Sequence, residues 1–155
     1  MKDLDKKIIL QLLKDAEQPI VDIAEEVGAS RQTVSKKIKK FKESGTIKDM
    51  TANLNPEKFG FDVRAYVFLQ EDPQEEIRED NEEKINEITQ VSKFFRLFGR
   101  YSGLLEVWCK NREDLTSLVK KIHELEGISE TETFIVHSVV KDKPADPFSE
   151  ILKVE

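Results

Sequence analysis

Apolar residues recur at four-residue spacing from the first turn of the chain: Leu4, Ile8 and Leu12, joined by Ile9 and Leu13. That interval keeps apolar side chains on one helical stripe, so residues 4–15 are predicted to form an amphipathic helix with Asp3 as its N-cap. Pro19 interrupts, and Ile20, Ile23, Ala24 and Val27 mark a short second helix with these residues inward. Gly28 should stop it, because glycine enters the left-handed region that ends many helices without a steric penalty. Ser30 is predicted to cap a third helix over 31–43, buried through Val34, Ile38 and Phe41 and ended by Gly45. A helix, a short helix, a Gly-Ala-Ser turn and a basic helix together read as a helix-turn-helix. Ile47–Leu54 has β-type residues suited to a small hairpin, or wing, before Asn55-Pro56 breaks the chain.

After Phe61 the repeat shortens. Val63–Leu69 alternates as a strand, with Val63, Ala65, Val67 and Leu69 on one face. Glu75–Val91 reads as a charged helix with Ile77, Ile85, Ile88 and Val91 inward, and Lys93–Phe98 and Leu104–Cys109 read as strands around a Gly99–Gly103 turn. Glu113–Leu125 is a helix through Leu115, Leu118, Val119, Ile122 and Leu125, and Glu132–Val140 a last strand. The expected architecture is therefore α+β: a winged helix-turn-helix followed by a ferredoxin-like βαββαβ domain. The expected boundaries are 1–61 for the helix-turn-helix with wing and hinge, 62–143 for the second domain, and 144–155 for an irregular tail.

Charge changes this picture more than composition does. With 38% hydrophobic and 36% charged residues the chain reads as folded and soluble, and its net charge is −6. The acidity is uneven. Residues 1–62 hold 12 Lys+Arg against 11 Asp+Glu, whereas 63–155 hold 13 against 20. Residues 28–48 carry seven cations against Glu43 alone, a local field that attracts phosphate on an acidic protein. By contrast, Glu71–Glu87 holds nine acids against Arg78 and Lys84, which reads as a solvated helix face. One cysteine, Cys109, in an apolar run, reads as a buried small hydrophobe and fits a reducing cytoplasm. No apolar run is long enough for a membrane span, and Met1-Lys2-Asp3 does not begin a signal peptide. His123 and His137 lack partners at metal-ligand spacing, so no metal or cofactor is expected.

At about 100° per residue, Gln32, Lys36 and Lys39 fall opposite the Val34, Ile38 and Phe41 stripe. Thr33, Ser35 and Lys40 flank them, and Arg31 occupies the first exposed turn. The second helix of a helix-turn-helix lies in the major groove with its N-terminal residues at base edges. Gln bonds adenine bidentately and Arg or Lys bonds guanine, while lysines farther along neutralise phosphate. The expected DNA contacts are thus Arg31, Gln32, Thr33, Ser35, Lys36, Lys39 and Lys40, on double-stranded operator DNA.

The stretches "LDKKIILQLLKDA", "AEEVGASRQTVSKKIKKF" and "GTIKDMTANLNPEKFG" resemble the helix-turn-helix and hinge of the leucine-responsive and asparagine-regulator (Lrp/AsnC) family, also called feast/famine regulators. Gly99-Arg100-Tyr101-Ser102-Gly103 and "ELEGISETETFIV" resemble its ligand-sensing and assembly domain. The resemblance implies a cytoplasmic transcription regulator, dimers through the β-sheets, frequent tetramers or octamers, operators with dyad symmetry and a small-molecule effector. It places the effector at Gly99, Arg100, Tyr101, Ser102 and Thr133. The family's loop usually reads Gly-Asp-Tyr/Phe-Asp, and here Arg100 and Ser102 replace the acids. An ammonium group then lacks its charge-assisted partners, so the loop is expected to disfavour zwitterionic amino acids. Two other readings share the residues. A sirohaem-decarboxylase-like enzyme of the same architecture would draw on Arg96, Arg100, Tyr101 and His137. An architectural DNA-binding protein would use the basic helix with little sequence preference.

Overall fold

The computed structural model describes residues 1–153; Val154 and Glu155, the end of the expected tail, lie outside the described residues. Two compact units form: residues 1–53 together with the segment from Lys141 onward, and Leu54–Val140.

The first unit contains α1 (Asp3–Lys14), α2 (Ile20–Val27) and α3 (Arg31–Glu43). Ile8, Ile23, Ala24, Val34 and Phe41 form its buried centre, with Leu4, Leu12, Val27, Ile38 and Ile47 packed around them. Gly28 has φ 67°, and the Ala29 N–H reaches back to the Ala24 carbonyl at 2.9 Å, closing α2. Two residues later the Ser30 hydroxyl accepts the Thr33 N–H at 3.2 Å and opens α3. An ion pair between Lys37 and Asp5 ties the inner edge of α3 to α1. The hydrogen bond from Lys37 holds the Asp5 carboxyl below its ordinary pKa, against a smaller opposing effect of burial.

Four expectations for this unit change. Asp3 lies inside α1, and Lys2 stands at the cap without a side-chain bond. Ile20 is 40% exposed rather than inward, since Ile23 and Ala24 already fill the core side of so short a helix. Ile47–Leu54 forms no hairpin: Ile47 is drawn into the core, its N–H bonding the Phe41 carbonyl at 3.0 Å, and the rest has no Gly to turn on. The expected irregular tail contains a helix, α6 (Asp146–Ile151), followed by Leu152 at 6% exposure. Pro144, Ala145 and Phe148 line a cavity with Ile9, Leu12 and Met50, and the Lys6 ammonium donates to the Lys153 carbonyl at 3.4 Å.

The second unit runs β1 (Val63–Glu71), α4 (Glu75–Asn86), β2 (Val91–Arg96), β3 (Gly103–Cys109), α5 (Arg112–His123) and β4 (Ile128–Ile135) after a 3-10 turn at Pro56–Phe59. The sheet order is β2-β3-β1-β4 with every neighbour antiparallel, the ferredoxin-like βαββαβ arrangement. One face, built from Val63, Ala65, Val67, Leu69, Leu105, Val107 and Cys109, packs under Ile85, Leu115, Leu118 and Ile122 of α4 and α5. Burial pushes the Cys109 thiol up to about 11, so it stays protonated and inert. The other face carries Arg64, Tyr66, Phe68, Phe95, Leu104, Glu106, Trp108 and Phe134, by the strand registers.

Several boundaries differ from expectation, those of α4, β2 and β4 most. α4 stops at Asn86 and Val91 opens β2 instead of closing the helix. β4 begins at Ile128 and ends at Ile135, because β1 supplies partners only between Glu71 and Ala65, with a last bond from the Val136 N–H to the Arg64 carbonyl. His137 and Ser138 therefore lie beyond the strand.

Candidate functional site

The outer side of α3 is built by its own cap and stripe. With Val34 and Phe41 buried, Arg31, Gln32, Ser35, Lys36, Lys39 and Lys40 are all exposed. Lys39 lies 3.7 Å from Glu43, a wholly solvated pair of little energetic weight. Among the described residues, Arg31, Lys36 and Lys40 make no ion pair. Thr33 differs from the rest: it is half-buried and its hydroxyl shares a 2.8 Å hydrogen bond with Ser30, so it serves the cap. Arg31, Gln32, Ser35 and Lys36 line one shallow concavity with Pro19, Ile20 and Val21 of the α2 entry. The sequence reading missed Ile20 and Val21 as members of this surface.

The second candidate region is the turn between β2 and β3. The Leu97 N–H bonds the Ser102 carbonyl at 2.9 Å, and the Ser102 N–H and hydroxyl both bond the Leu69 carbonyl, at 2.9 and 3.2 Å. Ser102 thus anchors the turn. Gly99 at φ 152° supplies a backbone conformation that residues with a Cβ avoid. Arg100 and Tyr101 reach β4: Arg100 Nη2 lies 3.0 Å from Glu130 Oε1, and the Tyr101 hydroxyl donates to Glu132. That bond to Glu132 pushes the Tyr101 phenol up to about 12, so it remains a donor at neutral pH. Phe68 stacks beside Tyr101 at 5.3 Å and meets Phe134 edge-on at 5.7 Å.

Thr133 does not join them. It pairs with Val67 and so faces the helices, as does Thr131, which bonds His123 of α5 at 3.3 Å. Glu130 and Glu132 alternate with these threonines onto the other face. Two carboxylates from β4 therefore stand beside the loop, thirty residues away in sequence and invisible to a reading of the loop alone. Arg96 is likewise committed elsewhere: it pairs with the fully buried Glu71 carboxylate and with Glu82 at 2.7 Å, on the helix side of the sheet. Arg96 thus does not join Arg100 and Tyr101 on one face of the sheet.

Residues 1–48 match a family model described as winged helix-turn-helix DNA-binding, and residues 64–146 match one described as the Lrp/AsnC ligand binding domain. The HTH-type transcriptional regulator FL11 of Pyrococcus furiosus is 30% identical over 142 residues, covering 92% of this chain and 93% of its own. An uncharacterized HTH-type transcriptional regulator of Pyrococcus abyssi is 34% identical over 142 residues, covering 92% and 95%. Among solved structures, a transcriptional regulator of Neisseria meningitidis in complex with L-Met superposes with TM-score 0.90 at 19% identity, covering 97% of this chain and 99% of that one. AsnC of E. coli does so with TM-score 0.82 at 24% identity, covering 93% and 99%. These two structural likenesses establish the shared fold. Among the described residues no helix is long and apolar enough to cross a membrane.

Proposed function

The chain belongs to the Lrp/AsnC family of transcriptional regulators, and from that premise we propose that α3 reads operator DNA in the cytoplasm through Arg31, Gln32, Ser35, Lys36, Lys39 and Lys40. The observation that carries this is the exposed cationic arc of α3, set by the Ser30 cap and the Lys37–Asp5 pair, while Arg31, Lys36 and Lys40 on that arc make no ion pair among the described residues. Gln32 and Arg31, nearest the N-terminus of the helix, take base edges, and Lys36, Lys39 and Lys40 take phosphates. The test is selection of bound sites from random duplexes, then binding of Gln32→Ala and Lys36→Ala variants across a salt series. Equal binding by parent and variants at every salt concentration would remove α3 as the reader. Selected and random DNA competing equally would favour the architectural reading instead.

The sheet face carrying Tyr66, Phe68, Phe95, Trp108 and Phe134 supports a homodimer formed face to face, which would bring two copies of α3 to two half-sites. Phe95 and Phe134 are exposed and Tyr66, Phe68 and Trp108 half-buried, and a contiguous aromatic patch of this kind marks an assembly surface. Sedimentation of a Phe95→Lys/Phe134→Lys variant tests it: the expected result is a monomer with weakened operator binding.

The loop of Gly99, Arg100, Tyr101 and Ser102 is the proposed place for a small-molecule effector. The regulator of Neisseria meningitidis was solved with L-Met. Here an ammonium group would meet Glu130 and Glu132 in place of loop acids, in competition with Arg100 and Tyr101. Thermal-shift measurements against the amino acids and a panel of anionic metabolites decide between cationic and anionic recognition. The regulator names of the relatives favour this reading over the decarboxylase.

A further inference from the structure

Two apolar side chains on the α2 entry have no role in the core of their unit. Ile20 is 40% exposed and Val21 39%, whereas Ile23 and Ala24, one turn on, are buried at 0% and 4%. Ile20 and Val21 line the same concavity as Arg31, Gln32, Ser35 and Lys36. Exposed aliphatic residues inside a cationic, hydrogen-bonding surface are poorly matched to water and equally poorly matched to an apolar peptide, which would strand Arg31 and Lys36 away from solvent. An occupant that fits both parts presents negative charge at the rim and apolar groups between. Duplex DNA does so in one place: the major groove, where phosphates flank base edges and the C5-methyl of thymine is the apolar feature.

We infer that Ile20 and Val21 form an apolar surface for thymine C5-methyl groups beside the bases read from α3, and so set a thymine preference at the edge of each half-site. The inference rests on the proposed reading of DNA by α3 and adds to it a second element that determines specificity. Pro19 supports the geometry, since its fixed φ (here −55°) sets the start of α2 and orients the two side chains relative to α3 without a flexible cap.

The experiment separates the two layers. Duplexes selected for binding are prepared with each thymine replaced singly by deoxyuridine, which deletes the methyl and leaves every hydrogen-bonding group. Affinities are measured at one salt concentration for the full-length parent, Ile20→Ala, Val21→Thr, Gln32→Ala and Lys36→Ala. The expected result is that deoxyuridine at one or two positions weakens the parent about fourfold, the factor for losing one buried methyl-sized group. That effect should vanish in Ile20→Ala or Val21→Thr and persist in Lys36→Ala. Because the parent alone reports the methyl effect, a variant that failed to fold would not shield the inference. If no thymine responds, or if the response is the same in parent and in both α2 variants, the inference falls while the α3 reading stands. If Gln32→Ala and Lys36→Ala also bind like the parent, both fall.

Discussion

The cations of α3 and those of the sheet unit have opposite relations to their surroundings. Among the described residues, Arg31, Lys36 and Lys40 stand in water without carboxylate partners and Lys39 has only a solvated one, Lys37 on the inner edge being the exception through Asp5. Arg64 and Lys93 converge on Glu106, Arg96 on Glu71 and Glu82, and Arg100 on Glu130. A guanidinium already held by a buried carboxylate has spent its attraction inside the fold, and moving it exposes an unpaired charge. An uncommitted lysine keeps its field available to a partner outside. The same residue types therefore hold one unit together and give the other its reach, and the difference lies in where the acids were placed.

The largest effect expected from breaking this contrast is in the sheet. Arg96→Ala leaves Glu71, fully buried, with only Asn81 at 2.8 Å and Arg78 at 3.9 Å. Denaturant unfolding of the variant should show a loss of about 3 kcal/mol, partly restored by adding Glu71→Gln. A loss under about 1 kcal/mol would mean that the pair is not a structural element. On α3, Gln32→Ala should leave stability unchanged and cost roughly 1–3 kcal/mol of discrimination at one base position, read by comparing selected sites for parent and variant. Lys36→Ala should lower the slope of log affinity against log salt by about 1 with no change in base preference.

Acid should separate the two regions further. Burial raises the Glu106 carboxyl, but hydrogen bonds from Lys93 and Arg64 outweigh it and hold the pKa below its ordinary value. A lowered folded-state pKa contributes stability that is complete above the unfolded value and is lost as pH falls through the folded one. Unfolding measured between pH 6 and pH 3, about the range in which carboxylates protonate, should show a shallower fall for Glu106→Gln than for the parent. Parallel curves would assign the acid sensitivity elsewhere. The smallest effect belongs to Arg100→Ala. Its pair with Glu130 is solvent-exposed and should not register in unfolding, yet the change should alter which ligands produce a thermal shift, because it frees Glu130.

The parts of this fold that depend on near neighbours along the chain are legible in the sequence alone. α3 begins at Arg31 and ends at Glu43 because Ser30 caps it and Gly28 closes the helix before, all within a few residues. What strand pairing decides is not legible there. β4 is displaced by four residues at its start because its length is set by β1, some sixty residues earlier, and it is the pairing of Thr133 with Val67 that turns Thr133 to the helices rather than the loop. Ile20 resembles core by periodicity alone; α2 has eight residues, too few for the stripe to decide how many apolar positions its neighbours can cover. The wing fails for a related reason: β-type composition without a partner strand does not make a hairpin.

The return of the tail to α1 bears on the order in which the protein is made. The hydrogen bond from Lys6 to Lys153 spans 147 residues. During synthesis α1, α2 and α3 leave the ribosome first, and nascent chains fold in that direction. The surface that receives Pro144, Ala145 and Phe148 must wait until the whole sheet unit has followed. For that interval Ile9, Leu12 and Met50 lack their final covering, so the helix-turn-helix reaches its finished form last although it is translated first.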